Sequence, residues 1–156
     1  MNKPIVIYFS RTGNTKKVAE IIASTLSCEQ KPIIPLKSYK GFIGWWRAGF
    51  QAVREKLPAI EPINIDFKEY DLVIIGTPVW ASKMSSPVRT FLTENLNNFK
   101  NVAFFNTSGG EEQENVLLDM SKLIHVEPKA ILDLWEKDVK KGNINKKIEE
   151  FTEGLQ

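Results

Sequence analysis

Hydrophobic positions along the 156-residue chain fall into two alternating kinds of segment. Apolar, β-rich runs occupy residues 5–9, 31–36, 72–77, 102–106 and 129–134, and between them apolar residues recur at helical spacing. The first, third and fourth runs are almost continuously apolar, as strands covered on both faces are. The second holds Pro32 and Pro35, which cannot donate to a ladder, so it predicts an edge strand. Helices are predicted at 15–26, with Val18, Ile21, Ile22 and Leu26 on one side, at 87–96 behind Pro87, at 112–124 and at 145–151. This alternation predicts an α/β protein, a three-layer doubly wound sandwich around a five-stranded parallel sheet. With the proline-bearing strand at one edge beside the first, the order is 2-1-3-4-5. The ligand crevice of such a sheet opens where the first and third strands diverge. No repeat, low-complexity tract or Gly/Ser linker interrupts the pattern, so residues 1–156 are expected to form one domain.

The segment 39–56 is unusually aromatic. Phe42, Trp46, Phe50 and Val53 share one helical face, which is expected to pack against the sheet. Trp45 lies off that face, where it is free to meet a partner or cover a substrate.

Composition narrows the field. No apolar run approaches the roughly 18 residues of a membrane span, and residues 5–9 are too short for a signal-peptide core, so the expectation is a cytoplasmic protein without a membrane partner. A single cysteine, Cys28, and a single histidine, His125, exclude an internal disulfide and offer no metal-ligating cluster; both are expected to be structural. The net charge of +2 is too small to point to nucleic acid. The pairs Lys140/Lys141 and Lys146/Lys147 read as solvated helix faces. Asn106-Thr107-Ser108 matches a glycosylation sequon by chance, at a predicted strand end.

Candidate chemistry gathers behind three strand ends. Behind the first, Ser10-Arg11-Thr12-Gly13-Asn14-Thr15 leads straight into a helix. Gly13 permits a backbone turn closed to other residues, so successive N–H groups can aim at one anion, with the hydroxyls of Ser10, Thr12 and Thr15 as further donors. A helix cap needs one such residue, not five. Neither G-x-x-x-x-G-K-[ST] nor G-x-G-x-x-G occurs, which removes support for nucleotide hydrolysis and dinucleotide binding. The third run ends in Thr77-Pro78-Val79-Trp80-Ala81-Ser82, and the fourth in Thr107-Ser108-Gly109-Gly110. No catalytic acid, base or nucleophile stands out.

The hexapeptide 10–15, the stretch 70–82 and the loop 107–110 together resemble the short-chain flavodoxins and their flavodoxin-like relatives, and the resemblance covers nearly the whole chain. It implies one non-covalently bound flavin mononucleotide (FMN). Ser10, Thr12, Gly13, Asn14 and Thr15 would hold the phosphate, with Arg11 near it. Thr77 and Pro78 would meet the ribityl chain, Val79, Trp80 and Ala81 the ring region, and Thr107, Ser108, Gly109 and Gly110 the ring's polar edge. Glu111, Glu112 and Glu114 would complement a helix N-terminus and, in a sharper form, lower the flavin's potential. The implied function is one-electron transfer between redox proteins, favoured over an NAD(P)H-dependent reductase. The alternatives are an FMN-dependent oxidoreductase acting on a small-molecule acceptor (a quinone, nitro or porphyrin-type compound), and a non-redox binding module. Two features depart from familiar carriers: a calculated pI near 8.6 and the aromatic segment.

Overall fold

Ile5, Ile7 and Phe9 pack into one apolar cluster and Val6 and Tyr8 into another, so the first strand, β1 (Pro4–Tyr8), already separates two layers of helices. The computed structural model describes residues 3–110 and 112–156. After β1 come α1 (Asn14–Thr25), β2 (Glu29–Pro32), α2 (Gly41–Val53), a 3-10 turn (Phe67–Glu69), β3 (Leu72–Trp80), β4 (Lys83–Met84) and α3 (Ser86–Glu94). The chain ends with β5 (Val102–Ser108), α4 (Glu114–Ile124), β6 (Ile131–Trp135), α5 (Glu136–Lys141) and α6 (Asn145–Glu153).

The parallel strands run in the order β2-β1-β3-β5-β6, which is the expected 2-1-3-4-5 with one element added. In register, Ile7 faces Ile75, Ile75 faces Phe104, and Phe104 faces Ile131. Val18, Ile22 and Phe151, from α1 and α6, cover one face of the sheet; Ala48, Phe91 and Met120, from α2, α3 and α4, cover the other.

Three expectations need correcting. The edge strand is Glu29–Pro32 rather than 31–36: it pairs with β1 until Pro32 and stops, and Pro35 makes only an isolated bridge to Ile60. β3 runs on from Thr77 to Trp80 and turns back through Ala81 and Ser82 into β4, which pairs antiparallel with it. Both turn residues have positive φ (48° and 60°), the geometry of a tight two-residue hairpin, here without the usual Asn or Gly.

The largest correction concerns α2. Its buried residues are Gly44, Ala48 and Ala52, whereas Phe42, Trp46, Phe50 and Val53, expected to pack on the sheet, are exposed together with Ile43 and Trp45. Backbone proximity explains the reversal. A Cβ on Gly44 would lie 2.3 Å from the carbonyl carbon and oxygen of Tyr39, so α2 seats its smallest residues, at i, i+4 and i+8, against the body of the protein. The aromatic residues are left to face the opposite way.

Candidate functional site

α1 begins without a side-chain cap. Gly13, at φ +100°, supplies the turn into the helix, and the first helical N–H groups open into the loop behind β1. Within that loop the Gly13 N–H donates to Ser10 Oγ (3.1 Å), and Asn14 Nδ2 donates to Thr12 Oγ1 (3.4 Å). These contacts hold the turn, and the positive end of α1 makes it a seat for an anion such as phosphate.

Arg11 points away from the turn. Its Nε donates to the Tyr39 carbonyl (2.9 Å) and one terminal nitrogen to the Gly41 carbonyl (3.2 Å), tying the loop to the entrance of α2. Thr15 is buried, and its hydroxyl meets that of Thr107 at 2.7 Å, joining the first loop to the end of β5. Thr15→Val is expected to lower stability by about 1–3 kcal/mol, because it strands the Thr107 hydroxyl in the interior. Urea unfolding of that variant beside the double Thr15→Val/Thr107→Val variant checks this, the pair being the more stable of the two.

A cleft of about 890 Å³ opens beside the turn. Arg11, Thr12 and Asn14 border it at one end, Pro78, Val79, Trp80 and Ala81 form one side, and Trp45, Trp46, Phe50 and Val53 form another. Such a volume falls within the range of small-ligand sites, roughly 300–1,000 Å³. Trp80, the last residue of β3 rather than a residue beyond the strand, is only 9% exposed. It meets Phe9 edge-on at 5.4 Å and Tyr39 at 4.9 Å, so its indole is a fixed wall. Burial raises the Tyr39 phenol pKa above its ordinary value, against the opposing pull of Arg47, and its hydroxyl is bonded to Gln51.

The remaining expected residues lie apart from the cleft lining. Thr77 is fully buried, its hydroxyl shared among Pro78 O (2.8 Å), Ser85 Oγ (3.1 Å) and the Ser85 N–H (2.9 Å), so it braces the hairpin. Ser108 is buried, with its hydroxyl donating to Gly110 O. Gly109 and Gly110 are exposed, and Gly109 borders a neighbouring hollow of about 400 Å³ beside Trp135, whose indole N–H donates to Gly109 O (3.2 Å). Glu112 and Glu114 are exposed and do not line the cleft; Glu111 lies outside the described residues.

Four cleft residues, Ala48, Gly49, Glu136 and Lys140, were not assigned to a site from the sequence, and the whole of α5 was missed. α5 has six residues, too few for a helical period, and Lys140 sat in a pair that looks like any solvated face. The wall residues Trp46, Phe50 and Val53 were visible but expected in the core, whereas Trp45 was expected off that face, free to meet a partner or cover a substrate, and it does line the cleft.

Cys28 is half-buried, and burial, aided by Glu29, pushes its thiol up to about 11, which makes it unreactive near neutrality. His125 ends α4 in a left-handed turn. Among the described residues, no group of His, Cys, Asp or Glu is arranged to hold a metal ion, and no helix is long and apolar enough to cross a membrane.

The family model described as flavodoxin matches residues 3–150. Among solved structures, a flavoprotein from Lactobacillus acidophilus in complex with FMN is 27% identical, with a TM-score of 0.75 over 90% of this chain and 98% of that one. The apo form of the flavoprotein from Lactobacillus acidophilus, in solution, gives 26% identity and a TM-score of 0.64 over 90% and 97%. A protein from Bacteroides eggerthii is 25% identical, with a TM-score of 0.74 over 91% and 96%. No curated protein sequence matches the chain.

Proposed function

The chain belongs to the flavodoxin family, and from that premise we propose that it holds one FMN and passes electrons through it. The observation that carries this reading is that the uncapped N-terminus of α1 and the apolar cleft lie side by side. A phosphate suits the first and a planar ring the second, so the residues present fit the group. The amides of Asn14 and Thr15 and the Thr12 hydroxyl would bind the phosphate, while the Gly13 N–H, held on Ser10 Oγ, fixes the turn that presents them. Pro78, Val79, Trp80 and Ala81 would bound the ring and exclude water on that side. Arg11, held on the Tyr39 and Gly41 carbonyls, keeps the cleft's two sides together. When bound, FMN supplies the redox chemistry, and the chain supplies binding, orientation and surroundings.

Transfer between redox proteins is the reading we favour, since it asks only for a flavin with an accessible edge. One observation supports a second reading, an FMN-dependent reductase of a planar small molecule: Trp45, Trp46 and Phe50 give the cleft an aromatic side of its own. Steady-state assays of the FMN-loaded protein with NADPH and quinones separate them. The carrier reading expects no sustained turnover, together with rapid electron exchange with a one-electron protein partner. Sustained quinone reduction abolished by Trp45→Ala/Trp46→Ala would transfer the role to the second reading.

A further inference from the structure

The outward face of α2 extends well past the cleft. Phe42 and Ile43 are 74% and 78% exposed and lie outside the cleft lining, and Leu36 and Leu57, before and after the helix in sequence, are exposed as well. So many large apolar side chains exposed in one segment of a folded domain mark a site of contact. Its charge is equally one-sided. Residues 37–56 hold five cations (Lys37, Lys40, Arg47, Arg54 and Lys56) against one acid, Glu55, and that carboxylate is taken up by Lys83 (3.0 Å) and Arg89 (3.8 Å). Lys40 and Arg54 stand at the two ends of α2, the Arg54 guanidinium 5.3 Å from the centre of the Phe50 ring, while Arg47 between them is taken up by the Ser38 carbonyl and the Tyr39 ring.

We propose that α2 is an interfacial helix that lays this protein on a membrane surface rich in anionic lipid. Phe42 and Ile43 enter the boundary between head groups and acyl chains, with Trp46 beside Phe42 at the edge of the cleft, and Lys40 and Arg54 meet the lipid phosphates. Aromatic and aliphatic side chains beside Lys and Arg are the pattern of helices that lie in this plane, and such a helix needs no membrane span. A second copy of the chain fits the face poorly, since two surfaces of like charge would be pressed together. Because the same helix walls the cleft, docking turns the cleft mouth towards the lipid, where an apolar acceptor resides. The docking itself does not depend on the FMN reading; only this consequence does.

The test is flotation of the FMN-loaded protein with vesicles of phosphatidylcholine alone and of phosphatidylcholine mixed with phosphatidylglycerol. The expected result is partition into the mixed vesicles at least about tenfold above that into the neutral ones, falling as salt is raised, with a blue shift of tryptophan emission. Phe42→Ser/Ile43→Ser should abolish partition, and Lys40→Glu/Arg54→Glu should remove the preference for anionic vesicles, at roughly fivefold or more per residue. The flavin spectrum of each variant must match the parent's, which separates failure of docking from failure of the FMN site. Absence of partition, or partition indifferent to these substitutions, overturns the proposal. So does retention on polyglutamate without vesicle binding, which assigns the face to an acidic protein. A dimer in sedimentation velocity, broken by Phe42→Ser/Ile43→Ser and without vesicle binding, also overturns it by assigning the face to a second copy.

Discussion

Gly44→Ala is expected to destabilise the protein by about 2–3 kcal/mol, although alanine is the better helix former by up to about 1 kcal/mol. The added methyl would stand 2.3 Å from the Tyr39 carbonyl carbon and oxygen, and no side chain at that contact can swing aside. Relief requires α2 to move bodily. That movement loosens the bonds from Arg11 to Tyr39 and Gly41 and carries Trp45 and Trp46 away from the cleft. Gly49, in the same helix and also on the cleft, supplies the control: a Cβ there meets nothing within 4 Å. Gly49→Ala is therefore expected to be neutral or to gain up to about 1 kcal/mol. Urea unfolding of the two variants beside the parent checks the contrast, and equal behaviour would refute the close seating of α2.

Gly13→Val is expected to weaken FMN binding by roughly tenfold or more while costing about 1–2 kcal/mol of stability. No neighbour lies within 4 Å of a Cβ at this position, so the whole effect comes from the backbone, which stands at φ +100°. A β-branched residue drives the turn out of that region and turns the first amides of α1 from the anion. Gly13→Asn, whose side chain tolerates positive φ better, should recover part of the affinity. Fluorescence titration with FMN measures the loss, and undiminished affinity in the valine variant would remove this turn from phosphate binding.

Both predictions sit where the sequence was only partly legible. β1, β3 and β5 announce themselves because each is covered on both faces and written almost wholly in apolar residues. β4 was hidden, since it has two residues and its turn uses Ala81 and Ser82 instead of the usual hairpin residues. The periodicity of α2 was readable but its orientation was not. Two faces compete for the core, and the choice falls on the small one because of a backbone contact from Tyr39 that no hydropathy pattern encodes. In the site, the turn that leads into α1 was legible from Ser10 to Thr15, because hydroxyls, a glycine and a helix start coincide there. Thr77 and Thr107 occupy the expected strand ends, yet their side chains face inward and bond within the core. Position at a strand end locates a crevice without saying which side chains open into it.

The most direct measurement is a pair of titrations of the flavin-free protein, one with FMN and one with riboflavin, followed by flavin fluorescence quenching. If the N-terminus of α1 receives a phosphate, FMN binds stoichiometrically and at least about tenfold more tightly than riboflavin. Equal affinity for the two flavins, or no quenching by either, would contradict it.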